Sequence, residues 1–258
     1  MRKLLLVFIA TLSAAAFAAA GCGNEEEAAS GAVELVPANS FVYGEATLEP
    51  EGDQKEAVDS ILSKFPGGDQ TGDKLKELIE KGLRESDAPI TFKDDIEPWL
   101  GDEVAFFAGG GGTDATQVAA GLIATDDEDA ALAALEKSAE GKLKKQDYNG
   151  VEFLTDESGE AGAVFDGFLV LGTPVAVRAA IDAGKGDEPN LSDSDGYKNA
   201  IEDAAEDRLG FVWVDMPQAL KIAEENGGAA AIPGSLKQAF KEPVVATVDA
   251  DDDGVVFE

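Results

Sequence analysis

The chain has 258 residues and a formal charge of −32, with 52 acidic and 20 basic side chains, one cysteine and no histidine. Such a surface repels phosphate backbones and anionic head groups, which argues against nucleic-acid binding and electrostatic docking on a membrane. Without imidazole there is no Ser-His-Asp or Cys-His machinery and no ordinary catalytic zinc site, and one cysteine allows no disulfide within the chain. What remains for an enzyme is a carboxylate pair, a Ser-Lys dyad or a lysine amine. With 52 acidic residues, carboxylates fall near one another by chance everywhere, so their proximity in sequence carries no weight, and the expectation is a protein that is not an enzyme. Hydrophobic residues make up 44% of the chain, enough to fold around a core.

Chain order begins with Met1-Arg2-Lys3, an apolar run from Leu4 to Ala20, and Cys22 directly after Ala19-Ala20-Gly21. Positive charge, apolar stretch and small-residue site make a secretion signal, too short and alanine-rich for a spanning helix. The segment resembles a bacterial lipoprotein signal, with Ala19 where leucine is more usual. The resemblance implies removal of residues 1–21 and lipid attachment at Cys22. Cleavage takes away Arg2 and Lys3, one positive charge each, so −32 becomes −34. Acyl chains then hold the protein to the membrane, since its surface charge does not. The acid excess reads as a solvated surface, with adaptation to salt or a cation-rich wall as the functional alternative. Residues 22–32 form an acidic linker, and the domain spans 33–258.

Phe41 to Thr47 reads as a strand. Asp53 with Glu56 makes a capping box for a helix whose Ala57, Val58, Ile61, Leu62 and Phe65 share one face, closed by Pro66-Gly67-Gly68. A second helix places Leu75, Leu78, Ile79 and Leu83 on its buried side. Three later segments repeat a grammar of strand, cap and helix. Val118 to Ala124 precedes Thr125 and Glu128; Phe168 to Gly172 precedes Thr173-Pro174, with Gly184 at the far end; Leu209 to Val214 precedes Asp215 and Gln218, closed by Asn226-Gly227-Gly228. Asn149-Gly150 and Asp166-Gly167 suit two-residue hairpin turns. Glu103 to Ala108 pairs with Gln117 to Ala124 through Gly109 to Gly112, and Val244 to Ala250 with Val255 to Phe257. The expected fold is α+β, a mainly antiparallel sheet with helices packed on one face.

Leu35 to Tyr43, Glu51 to Ala57, Asp95 to Glu103, Tyr148 to Val151 and Phe165 to Gly172 together resemble the bacterial envelope proteins grouped as domain of unknown function 3352. The likeness spans roughly residues 33 to 258. It implies an address and a fold, with no catalytic residues to carry over. Members of that family are commonly longer, so residues 33–258 read as the N-terminal part of a longer protein, or else the strand before Glu258 is short.

Among constellations, Asp249, Asp251 and Asp253 with Gly254 fit the start of a calcium loop, but the segment lies between valine-rich runs where Asp253-Gly254 is a hairpin turn; the hairpin is preferred and calcium is the weaker option. Gly109 to Gly112 lacks the Gly-Lys-Ser/Thr ending of a phosphate loop. Asp126 to Asp129, and Asp193 with Asp195, read as acids complementing a helix dipole. Trp99 and Trp213 read as core residues.

The leading expectation is a lipid-anchored, extracytoplasmic module that acts by binding or structural presence, without a cofactor or favoured metal. A carrier of an apolar ligand between helices and sheet is one alternative. A wall-glycan hydrolase is the other, requiring two carboxylates about 5 to 9.5 Å apart with one desolvated.

Overall fold

Ten antiparallel strands form one sheet in the computed structural model, which describes residues 31–50, 52–64, 71–85, 88–109, 118–139, 142–202, 208–224, 240–250 and 255–257. In chain order the elements are β1 (Ser40–Thr47), α1 (Gly52–Ser63), α2 (Thr71–Glu85), α3 (Phe92–Asp95), β2 (Leu100–Gly109), β3 (Ala119–Thr125), α4 (Glu128–Ser138), β4 (Lys144–Tyr148), β5 (Val151–Thr155), β6 (Ala161–Phe165), β7 (Phe168–Gly172), α5 (Pro174–Gly184), α6 (Asp195–Ile201), β8 (Gly210–Val214), α7 (Met216–Ala223), β9 (Val244–Ala250) and β10 (Val255–Phe257). A single 3-10 turn, Ala32–Leu35, precedes β1. The strand order is β10-β9-β8-β1-β2-β3-β7-β6-β5-β4. The α+β class and the antiparallel pairing expected from the sequence are both present.

Helices cover both faces of this sheet, which corrects the expectation of one. Along β3, Leu122 joins a core with Phe107, Phe153, Val170 and the α5 residues Val177 and Ile181, while its neighbour Ile123 joins a second core with Leu154, Leu169 and the α4 residue Leu135. Successive strand residues point to opposite faces, so both neighbours can be buried only if both faces are covered. The unbroken apolar run Phe168-Leu169-Val170-Leu171 is buried throughout because α4 lies on one side of β7 and α5 on the other. Local strand-cap-helix units do recur, but they send their helices to different faces.

Turn and cap chemistry explains the connections. Asn149 (φ 55) with Gly150 (φ 75), and Asp166 (φ 49) with Gly167 (φ 75), adopt the left-handed torsions that a two-residue hairpin needs. Thr173 caps α5 by accepting a hydrogen bond from the Ala176 N–H at 3.2 Å, with Pro174 in the first turn. Asp215 accepts from the Gln218 N–H at 2.9 Å, but the Gln218 side chain donates to the Asn39 carbonyl, so no reciprocal box forms. At α4 the cap is Asp127 rather than Thr125, whose hydroxyl instead accepts from the Asp127 N–H at 3.1 Å. Glu128 is thereby free to accept from the Gly167 N–H at 2.8 Å, tying α4 to the β6–β7 turn. Asp53 lies inside the first turn of α1 instead of preceding it. On α2, Leu83 is fully buried, whereas Leu78 stays 59% exposed, contrary to the single apolar face read from its spacing. Phe65 to Gly68 and Asn226 to Gly228 lie outside the described residues.

Candidate functional site

Strand alternation places Tyr43, Glu45 and Thr47 of β1 on one face, and the β2 register (Tyr43 opposite Phe107, Glu45 opposite Ala105, Thr47 opposite Glu103) puts Glu103 on that same face. Glu45 and Glu103 are therefore diagonal neighbours, a separation of about 7 Å between Cβ atoms, within reach of long side chains. Arg208, ahead of β8, donates to Glu45 at 3.1 Å, with the two side chains only 15% and 22% exposed. Its guanidinium stacks 4.2 Å from the Phe211 ring centroid. The Tyr43 hydroxyl donates to the other Glu45 oxygen at 2.6 Å, and Glu103 accepts from the Ala32 N–H at 3.3 Å.

Burial, reinforced by the nearby Glu45 carboxylate, pushes the Glu103 carboxyl up to about 7. The same two causes hold the Tyr43 phenol well above its ordinary value, and burial raises Tyr197 likewise. Tyr197 of α6 closes the cluster, 6.0 Å from the Tyr43 ring and 5.9 Å from Trp213. None of Glu45, Glu103, Tyr43, Tyr197 or Arg208 was singled out from the sequence as a site. A signal existed: Glu45 shares strand parity with the core residue Tyr43, and Glu103 with Phe107.

On the opposite face, two neighbouring rows across β3, β2, β1, β8 and β9 carry no charged side chain. The row Gly121, Phe106, Gly44, Val212 and Ala246 crosses five strands, and the next row, Ala119, Ala108, Val42, Val214 and Val244, runs beside it. Every position is apolar or glycine, although 28% of the chain is charged. Val212 and Val244 are still 37% and 39% exposed. The Phe106 ring lies across Gly44, where an added Cβ would come within 2.5 Å of it.

Of the residues singled out earlier, Trp213 borders the Tyr43–Tyr197 cluster and Asp249 shares its face by register, and the others do not converge on either place. Trp99 and Trp213 are each 2% exposed, as core residues should be. The Trp99 indole donates to the Asp95 carbonyl, whereas the Trp213 indole N–H has no hydrogen-bond partner among the described residues. Asp249 sits on β9 opposite Val256; Asp251, Asp253, Gly110 to Gly112 and Cys22 lie outside the described residues. Among the described residues no group of three or more acidic or cysteine side chains is placed to hold a metal ion, and no helix is long and apolar enough to cross a membrane. Asp127 caps α4, and Asp195 begins α6.

One family model matches residues 3–258. The chain belongs to the family described as "Protein of unknown function (DUF3352)". Two solved structures are similar to this family member at 9% identity: crystal form I of TP0453, with a TM-score of 0.42 over 89% of this chain and 77% of that one, and crystal form IV, with 0.40 over 87% and 77%. No curated protein matches it significantly.

Proposed function

We propose that this protein is a lipid-anchored, extracytoplasmic module that works by binding, without chemistry of its own. The observation carrying the reading is the uncharged tract around Val212 and Val244: a partly exposed apolar sheet surface on a strongly acidic chain is suited to binding an apolar surface. The half-buried carboxylates support the same reading from the other side. Glu45 is committed to Tyr43 and Arg208, and Glu103 to the backbone of the Ala32 turn, so their hydrogen bonds hold the fold together. The anchor itself is the lipid on Cys22, following the signal-like first residues.

Purification of the native protein under mild conditions, with mass spectrometry of accompanying molecules, tests the binding role against a Val212→Asp variant. A companion enriched with the wild type and lost from a folded variant is the expected result. The same companions on both would remove the tract from the argument. For the anchor, Cys22→Ala should lose both acyl mass and membrane fractionation; a variant that stays with the membrane and matches the wild type in mass would refute lipidation.

A second reading, the carboxylate hydrolase, draws on the pairing of the desolvated Glu103 with Glu45. It requires wall-glycan cleavage that Glu103→Gln abolishes. The Ala32 turn seated on Glu103 weighs against it.

A further inference from the structure

We propose that Glu45 and Glu103 form a proton-operated fastening for the chain's entry into the fold: with a proton on the pair, Glu103 stays inward on the Ala32 N–H, and without it Glu103 turns to water and the turn at Ala32 loosens. This holds whether or not Cys22 carries a lipid, because it concerns only the point at which the chain meets the sheet.

The geometry sets the balance of charge. Glu45 and Asp102 approach Glu103 from β1 and β2, the hydroxyls of Tyr43 and Tyr197 belong to β1 and α6, and Arg208 supplies positive charge from the approach to β8. Arg208 is held by Glu45 and by the Phe211 ring. Across the sheet, Asp249 shares this face by register, since Thr247 lies opposite Phe211 and Phe211 opposite Glu45. A second ionised carboxylate beside Glu45 adds negative charge where water is largely excluded, and the cheapest relief is rotation of Glu103 outward.

Loosening has a defined extent. Leu35 and Val36 are buried, the Val36 carbonyl accepts from the Leu191 N–H at 2.7 Å, and the Ala38 N–H donates to Pro189 at 3.0 Å. These ties do not involve the carboxylates, and Ala32 is itself fully buried in the same core, so the change is confined to residues 31–34 and loosens the Ala32 hydrogen bond without unseating the turn. A seated carboxyl raised from 4.5 to about 7 binds its proton more tightly than one turned out to water. Linkage over that interval permits a change of up to about 300-fold in the ratio of seated to released forms, favouring the seated form in acid.

Hydrogen exchange read by mass spectrometry on the full chain tests this, with a peptide covering residues 31–36 followed from pH 5.5 to 8.5 and corrected for intrinsic exchange rates. Wild-type protection should fall by about tenfold or more as pH rises, while Glu103→Gln should hold its protection at every pH. Glu45→Gln should move the wild-type midpoint to lower pH, because it removes the neighbouring charge. A peptide from β6 and β7 serves as the control for global opening. A flat wild-type profile, a Glu103→Gln profile that still titrates as the wild type does, or an equal loss of protection in β6 and β7 would each overturn the proposal.

Discussion

Replacing Glu103 by glutamine keeps the side chain's shape and its acceptor for the Ala32 N–H while removing a carboxyl that burial raises from 4.5 to about 7. Because the folded form holds this proton more tightly than the unfolded chain, the stabilisation is fully present below about pH 4.5 and is lost as pH rises through about 7. The shift corresponds to about 3 kcal/mol, and allowing for partial solvent screening about 2–3 kcal/mol is the expected gain for Glu103→Gln at pH 8. At pH 5 the gain should shrink to under about 1 kcal/mol. For a domain of this size each kcal/mol moves the midpoint by about 2–4 °C, so the variant should melt about 4–12 °C above the wild type at pH 8 and nearly with it at pH 5. Thermal unfolding followed by circular dichroism at both pH values measures this directly. Comparing the two proteins cancels the titration of the other acidic residues. A difference that does not change with pH, or a variant less stable at pH 8, would show that Glu103 is not a desolvated carboxyl.

Gly172→Ala places a Cβ 2.3 Å from the Ala119 carbonyl oxygen, a backbone atom, whereas Gly44→Ala meets the Phe106 ring at 2.5 Å and its nearest backbone atom, the Phe211 carbonyl oxygen, only at 3.3 Å. The first should therefore destabilise more than the second, and equal denaturation midpoints would contradict the packing described. Leu169→Ala, in a fully buried position facing α4, should cost about 2–5 kcal/mol in urea unfolding; a loss below about 1 kcal/mol would mean that this face is not closed. If Asp253-Gly254 serves as a hairpin turn, saturating calcium should leave the thermal midpoint unchanged, and a rise abolished by Asp249→Asn would restore the calcium reading.

Much of the fold was legible because its signals are local. Asn149-Gly150 and Asp166-Gly167 demand left-handed torsions that few other dipeptides accept, and both turns occur where the sequence places them. Thr173-Pro174 and Asp215 mark helix starts through the hydrogen bonds that their own side chains make. The α4 cap was misplaced because Thr125, Asp127 and Glu128 all offer oxygens within four positions; Asp127 takes the cap and Glu128 accepts from the Gly167 N–H instead. The second covered face was also written in the sequence, in the unbroken run Phe168 to Leu171, since a half-exposed strand would alternate. The half-buried carboxylate pair was less legible. Strand parity puts Glu45 with Tyr43, but its pairing with Glu103 depends on the β1–β2 register, and its burial depends on elements distant in sequence.

By itself, then, the sequence determined the family, the antiparallel α+β class, the hairpin turns and the exclusion of imidazole chemistry, because composition, turn torsions and caps act over a few residues. Tertiary structure alone decided which helix takes which face, α4 on one side and α5 on the other, and that Glu103 meets both Glu45 and Ala32. It also left Val212 and Val244 on a tract without charge. Each of those outcomes depends on which strands become neighbours, and strand order is set by how the whole chain buries its apolar surface.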